Sequence, residues 1–276
     1  NTTGATNTAV GFAALSSNTT APDNTAVGNS ALLANTTGTG HAALGQSALA
    51  ANTTGTNNTG LGQVSLTANT TGASNVAVGR AALTANTTGD NNTALGMNSL
   101  VANTTADNNT AVGASALTAN TTGTPNTAVG YQSGVAITTG DNNIAIGYRA
   151  LYTEDTGNRS VAIGDYALTV QNNDNSNYNT AVGYAAGTAV TTGTLNTFVG
   201  GLAGDATTTG DHNTAVGYTS LGANTTGTRN TSFGALAQYT ATTGDYNNAV
   251  GYGALYSLTT ADHNNAMGDT TLYANT

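Results

Sequence analysis

Residues 24–40 read NTAVGNSALLANTTGTG, and variants of this 17-residue unit recur along the whole chain. Gly28 closes the first block of the unit, and equivalent glycines, here called the anchor glycines, run from Gly11 to Gly268. Every step between them is 17 residues except one 19-residue step between Gly164 and Gly183. A strict period of this length is typical of solenoids, in which each repeat packs only against its neighbours. The sequence therefore predicts a single repeat array over residues 1–276.

Each unit contains two short segments that favour extended backbone, Thr-Ala-Val and the stretch around Ala-Leu. Glycine and asparagine separate the two segments, and both residue types readily take the left-handed conformations of tight turns. Thr and Val favour strands, and no window carries a helical apolar stripe. The prediction is an all-β fold, a β-solenoid or β-roll of about sixteen 17-residue coils.

The residue before each anchor glycine is always apolar, and we predict that this set forms the structural core. Its members are Val10, Val27, Leu44, Leu61, Val78, Leu95, Val112, Val129, Ile146, Ile163, Val182, Val199, Val216, Phe233, Val250 and Met267.

Alternation along a strand points Val to one face and the preceding Ala to the other. Both faces are then apolar or small, and a single thin solenoid has only one interior. We therefore expect a homo-oligomer, with three copies around a shared axis as the leading arrangement. The alternative is a monomer that exposes its alanine column.

Composition excludes several classes of function. Charged residues make up 6% of the chain, there is no Lys, Trp or Cys, and the formal net charge is −9. Four arginines cannot supply the basic surface that a phosphate backbone requires, so nucleic-acid binding is not expected. No apolar run is long enough to span a membrane. No nucleophile, base and acid can be grouped, so we predict no catalytic residues, no cofactor and no enzyme activity.

The block N-T-A-V-G-x-x-A-L, with the variants Ser160-Val161-Ala162-Ile163-Gly164 and Asn143-Ile144-Ala145-Ile146-Gly147, resembles the repeats in the heads of trimeric autotransporter adhesins. The longer form with the Asn-Thr-Thr-Gly turn resembles repeat arrays of phage tail-fibre proteins. The resemblance implies a homotrimeric, left-handed β-roll displayed outside a cell or on a virion. This repeat is longer than the adhesin-head repeat, and no anchor, stalk or chaperone segment is visible.

Two acidic pairs recur at one phase of neighbouring repeats, Asp90 with Asp107 and Asp245 with Asp262. Stacked carboxylates repel one another, and Ca²⁺ would relieve the repulsion. These four aspartates are weak calcium candidates beside the simpler prediction of solvated turn acids, and no metal site is predicted. The three histidines, His41, His212 and His263, are expected to be exposed turn residues.

The Asn-Thr-Thr block allows two further interpretations. It matches the N-glycosylation sequon, although turn formation explains the same residues. Its threonines, with a third column before Ala, could form the regular hydroxyl array of an ice-binding surface. The sequon asparagines are Asn18, Asn35, Asn52, Asn69, Asn86, Asn103, Asn120 and Asn224.

All twelve tyrosines lie from Tyr131 onward, and several directly follow an anchor glycine. Exposed tyrosines favour sugar and protein contacts, so these form a possible contact face; lateral packing is the alternative. They are Tyr131, Tyr148, Tyr184, Tyr218 and Tyr252.

The sequence as a whole predicts a structural and adhesive fibre segment, a stiff extracellular, cell-surface or virion-borne rod. Its partners would be copies of itself and a cell-surface receptor or glycan. The alternatives are a filament subunit that stacks end to end and an ice-binding protein.

Overall fold

A computed structural model describes residues 2–174 and 176–274 of the chain. The described residues form two compact units, Asn1–Asp141 and Asn142–Thr276, each built from the same kind of coil. The predicted all-β fold is confirmed, and each unit is a parallel β-solenoid with the 17-residue period of the sequence. The described ranges contain no helix, and so none that is long and apolar enough to cross a membrane.

Each coil contributes one three-residue strand, because the Thr-Ala-Val block is extended and glycine ends it. The first unit contains β1 (Thr8–Val10), β2 (Thr25–Val27), β3 (Ala42–Leu44), β4 (Thr59–Leu61), β5 (Val76–Val78), β6 (Thr93–Leu95), β7 (Thr110–Val112) and β8 (Thr127–Val129). The second unit contains β9 (Ile144–Ile146), β10 (Val161–Ile163), β11 (Thr180–Val182), β12 (Thr197–Val199), β13 (Thr214–Val216), β14 (Thr231–Phe233), β15 (Asn248–Val250) and β16 (Asn265–Met267).

Within each unit, consecutive strands pair in parallel and in register with the repeat. Thr93 faces Thr110, Ala94 faces Ala111 and Leu95 faces Val112 across β6 and β7. The 19-residue step leaves this register intact, since Val161 still faces Thr180 across β10 and β11. Equivalent residues of successive coils therefore stack into columns at about 4.8 Å spacing.

The interior of each unit is formed by the strand alanines and by the leucines four residues after the anchor glycines, and this corrects the predicted core. The middle residue of nearly every strand is fully buried, as at Ala94 and Ala111, whereas no residue of the predicted Val and Leu set is buried. Leu44 is 55% exposed and Leu95 is 36% exposed. The alternation argument was right that the two side chains point apart, but the smaller one lies inside, because the leucines four residues after the anchor glycines fill the rest of the interior. We call the outward set, from Val10 to Met267, the outer aliphatic column.

The second predicted strand, around Ala-Leu, is absent from the described coils. The leucine four residues after the anchor glycine is buried but has a left-handed backbone, with φ of 50° at Leu32 and 49° at Leu100. The segment still joins coils, since the backbone N–H of Leu32 donates to Ala48 O at 3.0 Å. This conformation is unusual for a bulky residue, and burial of the leucine side chain between successive coils offsets its strain.

Glycine replaces this leucine where another side chain fills the space. A Cβ added to Gly134 would lie 3.1 Å from Ile137 Cδ1. A Cβ added to Gly187 would lie 2.8 Å from Phe198 Cδ2, and one added to Gly204 would lie 2.5 Å from Phe198 Cε1. Phe198 is fully buried at a position where most coils have alanine, so the two glycines create the room that its ring needs.

Candidate functional site: buried amide ladders and exposed columns

One ladder of buried amides runs through the asparagines that precede each strand, here called the first asparagine column. The backbone N–H of Asn75 donates to Asn58 Oδ1 in the preceding coil at 2.9 Å. Asn58 Nδ2 donates to Gly72 O at 2.7 Å. Each side chain therefore links its own turn to the next coil. The buried asparagines of this column are Asn24, Asn58, Asn75, Asn92, Asn109, Asn126, Asn143, Asn179, Asn196, Asn213, Asn230 and Asn247.

A second asparagine column, at the first residue of each Asn-Thr-Thr block, forms a chain of side-chain amides. Asn69 Nδ2 donates to Asn52 Oδ1 at 2.8 Å and to Gly72 O at 2.9 Å. Asn86 Nδ2 donates to Asn69 Oδ1 at 2.8 Å in turn. Gly72 O thus accepts from both columns, and a Cβ on Gly72 would lie 2.5 Å from Asn69 Oδ1. This crowding favours a small residue at this position, which is alanine in three coils, at Ala21, Ala106 and Ala261.

The second column is interrupted where another residue type takes the asparagine position. Ile137 follows Asn120 in the first unit and Ala241 follows Asn224 in the second. Asn120 Oδ1 and Asn224 Oδ1 are both buried without a hydrogen-bond partner, because neither successor has a donor. An unsatisfied buried acceptor costs about 1–3 kcal/mol, so the ladder is weakest at these two coils.

Burial of the second column excludes N-glycosylation of the Asn-Thr-Thr asparagines in the folded coils. All eight sequon asparagines are at most 1% exposed. Nδ2, the atom to which a glycan would be attached, is already a donor to the glycine carbonyl three residues later, at 2.9 Å in Asn35 and 3.1 Å in Asn120. The asparagines therefore act in the interior, and the turn interpretation of the block is the correct one.

His41 occupies the first asparagine column, so the prediction of an exposed turn histidine is wrong for this residue. It is 2% exposed, its Nε2 lies 2.8 Å from Gly55 O, and its Nδ1 accepts from the backbone N–H of Asn58 at 3.2 Å. The imidazole reproduces the two hydrogen bonds of an asparagine at this site. Burial lowers the pKa of His41, and the hydrogen bonds to Gly55 and Asn58 oppose part of that effect. His212 and His263 are exposed as predicted.

Glu154 brings a buried carboxyl group into the second asparagine column. Its Oε1 accepts from the backbone N–H of Gly157 at 2.7 Å, and its Oε2 accepts from Gln171 Nε2 at 2.8 Å and Asn177 Nδ2 at 2.9 Å. Asn177 comes from the 19-residue step, so the two extra residues supply one of the donors. Burial raises the pKa of Glu154, while these hydrogen bonds oppose the rise. Asn177 Oδ1 is buried and has no partner. The sequence pattern alone did not indicate this cluster, and Asn175 lies outside the described residues.

The carboxylates of the four calcium candidates each accept a hydrogen bond from a backbone N–H group of the preceding coil. Asp107 Oδ1 accepts from the N–H of Asp90 at 2.7 Å, and Asp262 Oδ1 accepts from the N–H of Asp245 at 2.7 Å. Asp90 and Asp245 do the same for Ala73 and Thr228, at 2.6 Å and 2.7 Å. Among the described residues, no group of three or more His, Cys, Asp or Glu side chains is placed to hold a metal ion.

The two threonines of the Asn-Thr-Thr block have different environments. The first is engaged between coils, since Thr53 Oγ1 donates to Thr70 O at 3.1 Å. The second is exposed in every coil of the first unit, and we call it the exposed threonine column. Its members in that unit are Thr20, Thr37, Thr54, Thr71, Thr88, Thr105, Thr122 and Thr139.

The five tyrosines of the predicted contact face are exposed to different degrees. Tyr131 is 49% exposed, and Tyr184, Tyr218 and Tyr252 are 59%, 60% and 54% exposed. Tyr148 is half-buried, lies edge-on to Tyr166 at 5.1 Å, and has the Arg149 guanidinium 5.3 Å from its ring centroid.

A second set of tyrosines lies five residues after the anchor glycines and was not predicted from the sequence. Tyr239 and Tyr256 stack with ring centroids 5.2 Å apart, and Tyr256 and Tyr273 stack at 4.6 Å. Their spacing of 17 residues was the available signal.

Regular amide ladders inside and unbroken columns outside define each unit as a parallel β-solenoid of the repeat-protein type. No protein-family model matches the chain, and comparison with curated proteins and with solved structures finds no match.

Proposed function

We propose that this chain is a segment of a structural and adhesive fibre. The observation that carries the proposal is the pair of buried asparagine columns. Each asparagine ties one coil to the next through a side chain that is almost completely removed from water. A structure that repeats such bonds at every coil resists bending and local opening, which are the properties of a spacer or shaft.

The outer aliphatic column supports self-association. In the first unit it places Val or Leu on the outside of all eight strands, between a column of mostly Thr and the anchor glycines. The two strand columns on this face carry no charged residue in any coil. A continuous apolar stripe with no charge favours a partner with an identical stripe. The partner is a second and third copy of the same chain, arranged around a common axis as a homotrimer.

The composition of the chain supports an attachment role outside a cell or on a virion. A chain with 6% charged residues and no cysteine or lysine presents few reactive groups. Such a surface suits a fibre exposed outside a cell or on a virion, where it spaces or attaches a receptor-binding part. Resemblance of the five-residue block to adhesin-head and tail-fibre repeats supports the same location. No described cluster activates a nucleophile, and the proposed role is mechanical.

Electron cryo-microscopy of the purified chain, combined with light scattering after size exclusion, tests the proposal. The expected result is a particle with three chains in cross-section. Monomers at micromolar concentration that persist across salt and pH would overturn the self-association, and globular particles without an extended solenoid would overturn the fibre role. Rods joined end to end would instead identify a filament subunit.

Ice binding is the second candidate function, and the exposed threonine column is the observation that favours it. Eight successive coils of the first unit present one outward threonine in register. The neighbouring threonine column cannot contribute, because its hydroxyls donate to backbone carbonyls of the next coil. Ice growth below the melting point in the presence of the protein would exclude this function, and a thermal-hysteresis gap that disappears in Thr71→Lys would establish it.

A further inference from the structure

Three exposed tyrosines of the second unit form a row with a two-coil period. Tyr184, Tyr218 and Tyr252 each follow an anchor glycine, and the coils between them have Gly201 and Ala235 at the same position. Since neighbouring coils are about 4.8 Å apart, successive rings of the row are about 10 Å apart. The small residues between them leave the space beside each ring open.

Among the described residues, no other aromatic ring stacks face to face on the tyrosines of this row. Neither Tyr218 nor Tyr252 stacks on another ring within the described residues, and Tyr184 meets Tyr166 only edge-on, at 6.3 Å and 86°. A Cβ added to Gly201 would lie 3.6 Å from Tyr218 Cδ2, so the Tyr218 ring leans over this glycine. By contrast, Tyr239, Tyr256 and Tyr273 occupy consecutive coils and cover one another face to face. Alternation with small residues is what keeps the first row available.

The five coils of the row are neutral around their anchor glycines, and Asp165 and Asp269 take the tyrosine position in the coils just before and just after the row. In these five coils, three residues lie next to each anchor glycine: one before it and two after it. None of them is charged. No described residue donates to or accepts from the hydroxyl groups of these three tyrosines. Each therefore offers an apolar ring face and a free polar end, which together suit a ligand with apolar C–H faces and a hydroxyl-rich edge.

We propose that this row, here called the alternating tyrosine row, binds an extended neutral β-1,4-linked glycan along the solenoid. In such a glycan each sugar is rotated by half a turn relative to the last, so the same face recurs at every second sugar. One sugar advances the chain by close to one coil spacing, and every second sugar therefore meets a tyrosine. This inference rests on the adhesive role proposed above and names its ligand class.

Titration of the full chain with cellohexaose and with chitohexaose, followed by NMR or calorimetry, tests the inference. Maltohexaose, whose α-linkages curve the chain, is the comparison ligand. The expected result is binding of at least one β-linked hexaose, with little binding of maltohexaose. Each Tyr→Ala change in the row should weaken binding about fivefold, and Y184A/Y218A/Y252A should weaken it on the order of a hundredfold. The triple Tyr→Phe variant should keep most of the affinity, since ring stacking remains.

The matched control is Y239A/Y256A/Y273A, which removes three tyrosines of the same unit whose faces are already covered. It should bind the hexaose within about twofold of the wild type at a temperature where both are folded. The single variant Tyr218→Ala serves if a triple variant does not fold. Absence of binding to both β-linked hexaoses, equal binding of maltohexaose, or wild-type binding by Y184A/Y218A/Y252A would overturn the inference. Loss of the oligomer in that variant would assign the row to lateral packing instead. Since melting and oligomeric state report the fibre role separately, the two proposals can fail independently.

Discussion

The ring of Phe198 and the missing side chain of Gly204 fit each other within one coil, with Phe198 Cε1 2.5 Å from the place where a Gly204 Cβ would be. Gly187 leaves a similar space on the other side, 2.8 Å from Phe198 Cδ2. Elsewhere the same interior volume is filled by alanine in the strand and leucine in the turn. The ring of Phe198 thus takes interior space that leucine side chains occupy in other coils.

This exchange predicts non-additive stability. Phe198→Ala should lower the free energy of unfolding by about 3–5 kcal/mol, because it leaves a cavity between two glycines. Gly204→Leu alone should also destabilise, because its side chain would overlap the ring. The double variant Phe198→Ala/Gly204→Leu restores the repeat consensus in that coil and should recover most of the loss. A denaturant-based double-mutant cycle measures the coupling, and simple additivity would refute the exchange.

A second prediction concerns the buried amide chain. Asn69→Ala removes the donor to Asn52 Oδ1 and the acceptor of Asn86 Nδ2, and it opens a small cavity. The expected loss is about 2–4 kcal/mol in the free energy of unfolding. Thr71→Ala, two residues away and exposed, is the matched control and should change stability by less than about 0.5 kcal/mol. Equal effects of the two changes would show that the asparagine column does not hold the coils together.

His41 predicts a loss of stability in acid. Its folded pKa lies below the unfolded value near 6.5, so the folded state binds fewer protons than the unfolded state. The contribution of the neutral imidazole is complete above pH 6.5 and is lost as pH falls toward and through the folded pKa. His41→Asn restores the column residue and should remove this acid-side fall in melting temperature. His212→Asn, at an exposed site, should leave it in place; the opposite outcome would contradict the buried assignment.

Glu154 should have the opposite effect on the pH dependence of stability: its contribution is lost as pH rises. Its folded pKa is raised above the unfolded value of 4.5, chiefly by burial, so protonation favours the folded state. Its favourable contribution is complete below pH 4.5 and is lost as pH rises through the folded pKa. Glu154→Gln should therefore stabilise the protein at neutral pH relative to the wild type, with less advantage near pH 4. After rotation of its amide, Asn177 can accept from the new side chain with its unpartnered Oδ1. Melting curves measured across pH test this prediction, and Asp269→Asn, at an exposed site, is the control for loss of one negative charge. A Gln variant less stable at neutral pH would contradict this account.

The sequence predicts the fold class and the repeat period better than it predicts which side chains lie inside. The period and the all-β class were predictable, because the Thr-Ala-Val block and its glycine recur every 17 residues with a single 19-residue exception. The direction of the strand side chains was not, because alternation separates Ala94 from Leu95 without stating which is inside. The general rule that larger aliphatic residues are buried holds for the turn leucines but fails for the strands, because turn leucines such as Leu49, which lies beside Gly60, already fill the interior.

Two other features were hidden for physical reasons. A left-handed leucine such as Leu32 contradicts the backbone preference of that residue, and only its place in a stack of coils supports it. The buried asparagines look like turn residues, since the first column and the sequon asparagines stand beside Thr and Gly. Their burial depends on hydrogen-bond partners 17 residues away, such as Asn52 for Asn69. The residues adjacent in sequence give no indication of these partners.

The arrangement of the two strand faces is tested most directly by one matched pair of double variants. Ala77→Asp/Ala94→Asp places carboxylates in the interior, whereas Val78→Asp/Leu95→Asp places them one residue further on, in the outer aliphatic column. We predict that the first variant fails to fold, with a loss of at least about 3 kcal/mol per site. The second should keep the wild-type β circular dichroism but elute as a monomer in light scattering, while the wild type elutes as an oligomer. A folded Ala77→Asp/Ala94→Asp variant, or a Val78→Asp/Leu95→Asp variant that unfolds or keeps its oligomer, would contradict the account.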